Sequence, residues 1–480
     1  MFAPGFTKKV NILCLLAGIA IILALPLKKE IWYDETVSIL CAKGISHDSP
    51  FLFSNTVVIS SANINELNTT KNVFSATVTD NANSFLYNIS LHWFTLLCGN
   101  SVTAYILFSK LLAIATIIAF YFLCNLFFEH SFFTSIAMLL LAIDNGFVGM
   151  SHEIRAYAMG ILFVTLAAIY FYKFTYKTGK PIYLFWTGLF AVCAILAHFL
   201  TAYIILVFLA AIIFAKRATL FSAKNILALL IPIALLVFFF ICAYPGLQTM
   251  SVQNQRILQK TMAAGFSLEE VFWRTLRFTA INFKAVFPSF WNNKPVIVIS
   301  FLFVLSLYVA GIKAAANREQ KRNLHLLFLL GFSSSLFLAF LCVKSHHYTA
   351  LYYRYYSFCL PFCSLFIAYL LLVFYGNEKI NKFIKSGLLL VIIIPAFILF
   401  IAANKNANPE IKDNHPSVAK EIVQDKIVTI EVPHWRDAFL LQAFLPAGYK
   451  IDYVLNPNDP NFVLHKENTV KKIPVIKDDQ

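Results

Sequence analysis

Ile31–Leu40 reads IWYDETVSIL and sets two adjacent carboxylates, Asp34 and Glu35, just past an apolar run at residues 11 to 27. A run of that length falls in the range, about 17 to 25 residues, that crosses a bilayer core as a helix. The acids therefore belong at a membrane surface. Beside them stand Trp32 and Tyr33, whose rings favour the headgroup level. Two readings follow from these ten residues: a solvated helix start, or an acid pair poised for chemistry on a lipid-borne substrate. The rest of the chain decides between them.

The 480 residues are 59% hydrophobic and 13% charged with mean hydropathy +0.71, against about half apolar and a quarter charged in a soluble domain. The chain reads as a polytopic membrane protein. Its net charge of +15 and pI near 9.3 do not point to nucleic acid, because the Lys and Arg cluster in short loops between apolar runs. The nine cysteines are odd in number and nearly all lie inside apolar runs, which supports neither a disulfide framework nor a zinc site. Lys8 and Lys9 precede the first run as in a signal peptide. Its end, ALPLKKE, lacks a small-residue cleavage pattern, so an uncleaved first helix is expected.

Further spans are expected at about 102 to 127, 132 to 150, 156 to 172, 182 to 199, 201 to 215, 226 to 244, 295 to 312, 324 to 343, 355 to 375 and 386 to 403, about eleven in all. With a cytoplasmic N-terminus, Lys173, Lys177, Lys180, Lys216, Arg217, Lys224, Lys313, Arg318, Lys321, Arg322, Lys379, Lys382 and Lys385 fall inside, as the positive-inside rule asks. Asp34, Glu153, His198, Arg256, Arg274, Arg277, His346 and Arg354 then fall in outer loops. A plasma (inner) membrane location fits this layout.

The first outer loop, 28 to 101, holds a long polar segment and ends in SFLYNISLHWFTLL (84 to 97), which reads as a helix on the membrane surface. The second long outer loop, 245 to 294, contains SLEE at Ser267, a capping box opening an amphipathic helix with Phe272, Trp273, Phe278 and Phe283 beside Arg274, Arg277 and Lys284. Such a helix is suited to anionic headgroups or simply to snorkelling anchors. After 403 the composition turns polar. His415 to Lys426 reads as helix, IVTIEV from Ile427 as strand, Trp435 to Phe444 as helix and KIDYVL from Lys450 as strand, together a small α/β domain over 404 to 480 on the outer face.

Three more stretches bear on chemistry. MSHEIRAYAMG from Met150 puts Glu153 and Arg155 beside the membrane, where a charge needs a partner or a task. AHFLTAY from Ala197 is a tight outer turn carrying His198, and KSHHYTALYYRYYSFCLP from Lys344 brings Arg354 and Tyr355 among aromatics before Pro361.

With these four stretches in place the chain resembles the GT-C fold membrane glycosyltransferases, specifically family 39, the protein O-mannosyltransferase and aminoarabinose transferase group. The Asp34–Glu35 pair in the first outer loop matches the family's Asp-Glu. HEIRAYAM matches Glu-x-Arg-x-Tyr, AHF matches the Thr/Ala-His-Tyr/Phe turn, and Arg354-Tyr355 before Pro361 matches Arg-Tyr followed by proline. Where bacterial members carry a His-Pro-Pro-Leu-Tyr-like helix start, this chain has Asn83, Ser84, Phe85, Leu86 and Tyr87, without the histidine or either proline. The resemblance covers about residues 10 to 375. It implies an all-α polytopic fold, and catalytic roles for Asp34, Glu35 and Glu153. It also implies a divalent metal ion as a candidate cofactor, with Asp34, Glu153 and His198 as candidate ligands, although no diagnostic ligand spacing is present.

The chemistry suits the residues as well. Transfer to a hydroxyl needs a carboxylate to accept the proton and cations to stabilise a departing phosphate. Asp34 fits the first role. Arg155, His198, Arg354, Tyr355, Arg274 and Arg277 form the candidate phosphate-binding set. No Gly-rich phosphate cradle of the P-loop or Rossmann kind is present, so the expected donor is a polyprenyl phosphate sugar, with membrane lipids as partners and inversion as the expected outcome. The competing class is a transporter or flippase of lipid-linked sugar. Such proteins carry ionisable residues or broken helices near the bilayer midplane, whereas here the acids lie mostly at span ends and only Asp144 is somewhat inside one. A scaffold without turnover is a third class.

Overall fold

The computed structural model describes residues 4–24, 33–45, 58–60, 69–79, 83–99, 101–262, 266–284, 293–345, 353–405, 415–426, 429–432, 441, 445, 449–450 and 452–455. Helices dominate. α1 (Pro4–Ala24) and α2 (Tyr33–Ala42) are followed by strand β1 (Val58–Ser60), then α3 (Thr70–Thr79) and α4 (Phe85–Cys98). α5 (Val102–Phe128), α6 (Phe132–Ala142), α7 (Asn145–Met150), α8 (Tyr157–Tyr172), α9 (Pro181–Ala197), α10 (Ala202–Leu220) and α11 (Ala223–Met262) make the first part of the bundle. α12 (Leu268–Asn282), α13 (Lys294–Ala314), α14 (Arg318–Ser345), a 3₁₀ segment (Tyr353–Cys359), α15 (Leu360–Gly376) and α16 (Lys382–Lys405) complete it.

Among the described residues, eight helices are long and apolar enough to cross a membrane by length and composition, and α4, α6 and α9 are shorter apolar helices. The single span expected over 132 to 150 is instead broken. Asp144 leaves helical geometry and its Oδ1 accepts the Phe147 amide at 3.0 Å, capping α7 and ending the continuity of α6. α9 likewise stops at Ala197, because His198 is extended and begins a 3₁₀ turn. α11 does the opposite: its 40 residues, about 60 Å at ~1.5 Å each, run well into the stretch expected as outer loop.

The spanning parts of the long helices are apolar, so burial is decided by neighbours. α15 and α8 are central, with 94% and 72% of their apolar windows buried, whereas α11, at 17%, is peripheral. Small residues permit the close approaches. A Cβ on Gly160 of α8 would come within 2.6 Å of the Phe358 ring, and one on Gly331 of α14 within 2.8 Å of Phe283.

The loops segregate to two ends. At one, Asn11 donates to the His130 carbonyl at 3.1 Å, Asn323 donates to the Tyr172 and Tyr369 hydroxyls at 3.2 and 3.1 Å, and Arg322 stacks 4.2 Å over Tyr176. These neighbour the basic residues expected inside. The candidate site lies at the other end.

Beyond the bundle lie α17 (His415–Gln424), β2 (Thr429–Val432) and β3 (Asp452–Leu455), in line with three of the four elements read from the tail. The fourth, 435 to 444, lies outside the described residues apart from Leu441. The sheet is not built from the tail alone. β3 pairs in parallel with β2 (Thr429↔Asp452) and antiparallel with β1 of the first loop (Val58↔Val454), giving the order β1-β3-β2.

Candidate active site

The site starts from the first turn of α2. Adjacent helical residues point about 100° apart, so Asp34 and Glu35 serve different neighbours. Glu35 is fully buried, and its Oε1 accepts the Ile154 amide at 2.9 Å. Asp34 is a quarter exposed and its Oδ2 lies 2.8 Å from Nη1 of Arg354. Arg155 donates through Nη1 to the Asp34 carbonyl at 2.8 Å and to Ser38 Oγ at 3.3 Å, one turn along α2. Charge-assisted bonds of this kind are worth roughly twice neutral ones, so the turn after α7 is firmly stapled to α2.

Ser109 of α5 donates to the Glu153 carbonyl at 2.7 Å and lies 3.4 Å from the Tyr87 hydroxyl. On the far side, the Tyr203 hydroxyl donates to the Tyr355 carbonyl at 3.1 Å and Ser357 donates to the Arg354 carbonyl at 2.6 Å, which fixes the 3₁₀ segment. Arg354 also lies 5.3 Å from the Tyr355 ring centre.

His198 is 2% exposed and packs among Tyr157, Tyr355 and Phe358 at ring separations of 5.3, 5.9 and 5.1 Å. Burial first, then the Arg155 and Arg354 charges, hold its imidazole down to about 3, so it is neutral at physiological pH. Its Nδ1 accepts the Leu200 amide at 3.3 Å, which leaves the proton on Nε2. Nε2 has no hydrogen-bond partner among the described residues. His198 thus offers a buried neutral donor rather than a cation.

Four stretches distant in sequence therefore meet: Asp34 and Glu35, Glu153 and Arg155, His198, and Arg354 with Tyr355. Arg274 and Arg277 stand apart on α12. Ser267 caps that helix through the Glu270 amide at 3.4 Å, and Arg274 Nε is held by Glu270 at 2.6 Å. Arg277 is half-buried, and its Nε has no partner among the described residues. α12 is more than a surface helix, since Val271, Thr279 and Ala280 are buried and Phe278 packs 5.0 Å from Tyr356 of the 3₁₀ segment. His346 and the Arg256 side chain lie outside the described residues.

α4 leaves Trp93, Leu96 and Leu97 exposed while Asn88 and His92 turn inward, His92 Nδ1 lying 3.1 Å from the Ala42 carbonyl. The Asn83 stretch docks on the site as well: Asn83 Oδ1 accepts the Phe199 amide at 3.4 Å.

The candidate metal ligands do not form a ligand set. Among the described residues no three His, Cys, Asp or Glu side chains are grouped to hold an ion, the Asp34 carboxylate pairs with Arg354, and His198 Nδ1 is occupied.

Sequence reasoning missed Ser38, Ser109 and Lys43, and it matched Tyr157 in the Glu-x-Arg-x-Tyr motif without giving it a role. Ser38 was legible as the residue one helical turn after Asp34. Lys43, 3% exposed at the end of α2, is brought down to about 8 by burial, and nothing local in the sequence announces it.

No family model and no curated protein matches the chain. Among solved structures it is similar to the Archaeoglobus fulgidus oligosaccharyltransferase crystallised with Zn and sulfate, at 11% identity and TM-score 0.46 over 93% of this chain and 62% of that one. The same archaeal enzyme, AglB, with an inhibitory peptide and a dolichol-phosphate gives 10% identity and TM-score 0.45, over 94% and 64%. ArnT from Cupriavidus metallidurans in the apo state gives 11% and 0.38, over 91% and 84%. The chain thus spans less than two thirds of the archaeal protein's length.

Proposed function

We propose that the protein is an integral-membrane glycosyltransferase that moves a sugar from a polyprenyl-phosphate donor to a hydroxyl-bearing acceptor at the outer face of a cell membrane. The observation that carries this reading is the Asp34–Arg354 pair at 2.8 Å, with Arg155 on the Asp34 carbonyl, at the partly exposed end of an apolar bundle. A carboxylate and two guanidinium groups held together suit a reaction in which a proton is taken from one oxygen while negative charge grows on another.

In the proposed step the acceptor oxygen attacks the anomeric carbon, the bond from that carbon to the phosphate oxygen breaks, and the acceptor proton passes to Asp34. Arg354 and Arg155 receive the charge of the departing lipid phosphate, and the neutral Nε2–H of His198 adds a donor. A single displacement inverts the anomeric centre. Glu35, satisfied by the Ile154 amide, holds the turn that carries Arg155 rather than exchanging a proton. Eleven passes, an inward N-terminus and an outward domain at 404 to 480 complete the reading.

The test is release of free polyprenyl phosphate from labelled lipid-linked sugars by purified protein with membrane extract as acceptor source. Turnover in the wild type, with Arg354→Ala losing at least tenfold in donor kcat/KM, is expected, since a hydrogen bond to a charged group contributes ~1.5 to 3 kcal/mol. Lys at 354 restores part of it, as a point charge without the planar fork. Movement of intact donor across vesicles without release would assign the protein to flippases instead.

A further inference from the structure

The bundle holds an ion pair that the proposed reaction does not touch. Lys284 Nζ lies 2.8 Å from Asp144 Oδ2, with the two side chains 5% and 6% exposed. Replacing so buried a pair by apolar groups of similar size is often neutral or stabilising, so its presence calls for a geometric reason.

Both partners are tied further. Asp144 caps α7 through its other oxygen, and six residues later α7 delivers the turn whose Ile154 amide binds Glu35 and whose Arg155 binds Asp34. Lys284 also donates to Ser364 of α15 at 3.3 Å. It stands at φ 55, just past the end of α12, in a left-handed conformation uncommon for lysine. Two residues earlier Asn282, fully buried, donates to Cys359 Sγ at 3.4 Å, at the end of the 3₁₀ segment that carries Arg354. Phe283 between them is seated at Gly331 and packs 5.4 Å from Phe366 of α15. The pair therefore joins the element that leads to Arg155 with the elements that frame Arg354.

We propose that Asp144 and Lys284 are positioning residues: their ion pair sets the separation of Arg155 and Arg354 by locking the inner end of α12 between α7 and α15. The inference rests on the reading of these arginines as the phosphate site. It assigns α12 the role of a strut as well as a membrane-surface helix.

The test is the double variant Asp144→Asn/Lys284→Met, which removes both charges, leaves no unpaired buried ion and keeps an oxygen to cap α7. Two readouts are taken. In the first, spin labels at Trp93→Cys on α4 and Phe272→Cys on α12, both exposed in the native protein, report where α12 docks, with exposed Cys98 replaced by Ser. In the second, donor and acceptor kinetics are compared.

Expected are a broadened label distance, a donor KM raised about tenfold, kcat within threefold and an unchanged acceptor KM; Lys284→Arg alone, retaining the charge, recovers the donor KM to within threefold of wild type. A folded double variant with the wild-type donor KM overturns the proposal, as does an unchanged label distance. If the double variant does not fold, Asp144→Asn/Lys284→Gln, which also leaves no unpaired buried ion, is read by the same criteria. Wild-type protein that turns over no lipid-linked donor refutes the functional reading instead, and the label distances then decide alone whether the pair locks α12.

Discussion

At the scale of single residues, Asp34 and Glu35 look interchangeable in IWYDETVSIL but occupy opposite circumstances: one carboxylate at a partly open mouth, the other sealed against a backbone amide. Asp34→Asn is therefore expected to fold normally and lose ~10²- to 10⁴-fold in turnover, the usual worth of a positioned base. Glu35→Gln keeps most of its turnover per folded molecule and instead loses ~1.5 to 3 kcal/mol of stability, because a charge-assisted bond to a buried amide is weakened. Thermal unfolding and turnover measured on the same preparations separate the two. The reverse pattern would move the base to Glu35.

His198 gives a second residue-scale expectation. Its folded form titrates near 3 against an ordinary 6.5, so the unfolded chain takes up the proton first as pH falls. Stability from this group is complete above about 6.5 and is lost progressively between 6.5 and 3, by on the order of 3 to 5 kcal/mol at the acid limit. His198→Phe should flatten the fall of the unfolding midpoint across that window; an unchanged slope would show that His198 is not buried neutral.

At the scale of elements, the 3₁₀ segment before α15 is what brings Arg354 to α2, and its place depends on a glycine. Gly160→Ala sets a Cβ 2.6 Å from the Phe358 ring, and overpacking of this kind typically destabilises by about 1 to 3 kcal/mol. The displaced ring carries the segment with it, so donor KM should rise as well. Gly149→Ala, with nothing within 4 Å of its new Cβ, is the control expected to behave as wild type. Equal behaviour of the two variants would detach Gly160 from the site. The broken span at Asp144 shows what element boundaries owe to side chains. The apolar run continues across it, but a carboxylate that caps the next helix interrupts the ladder.

At the scale of the molecule, the first loop and the tail share one sheet through β1 and β3, so both belong on one side of the membrane. Together with the basic residues gathered at the opposite end, this motivates a topological expectation. Protease added to intact spheroplasts should trim the segment beyond 404, and protection until lysis would reverse the orientation. Deleting residues 415–480 should in turn leave β1 without its partner and increase proteolysis of the first loop around residues 58–60.

What the sequence determined by itself was whatever is written locally: the apolar runs, the bias of the bases, the capping box at Ser267 and the four short motifs that meet in the proposed site. Hydropathy reports length and composition, and both survive folding unchanged. The tertiary structure alone decided which apolar helices are central, since the spanning part of α11 is more apolar than that of α15 and yet lies at the periphery. It also decided which acid of the pair meets Arg354, that β1 joins a sheet almost 400 residues away, and that Lys284 finds Asp144. Each of these is a contact between segments far apart in the chain. Such a contact is set by the packing of the helices between them, and no local pattern records it.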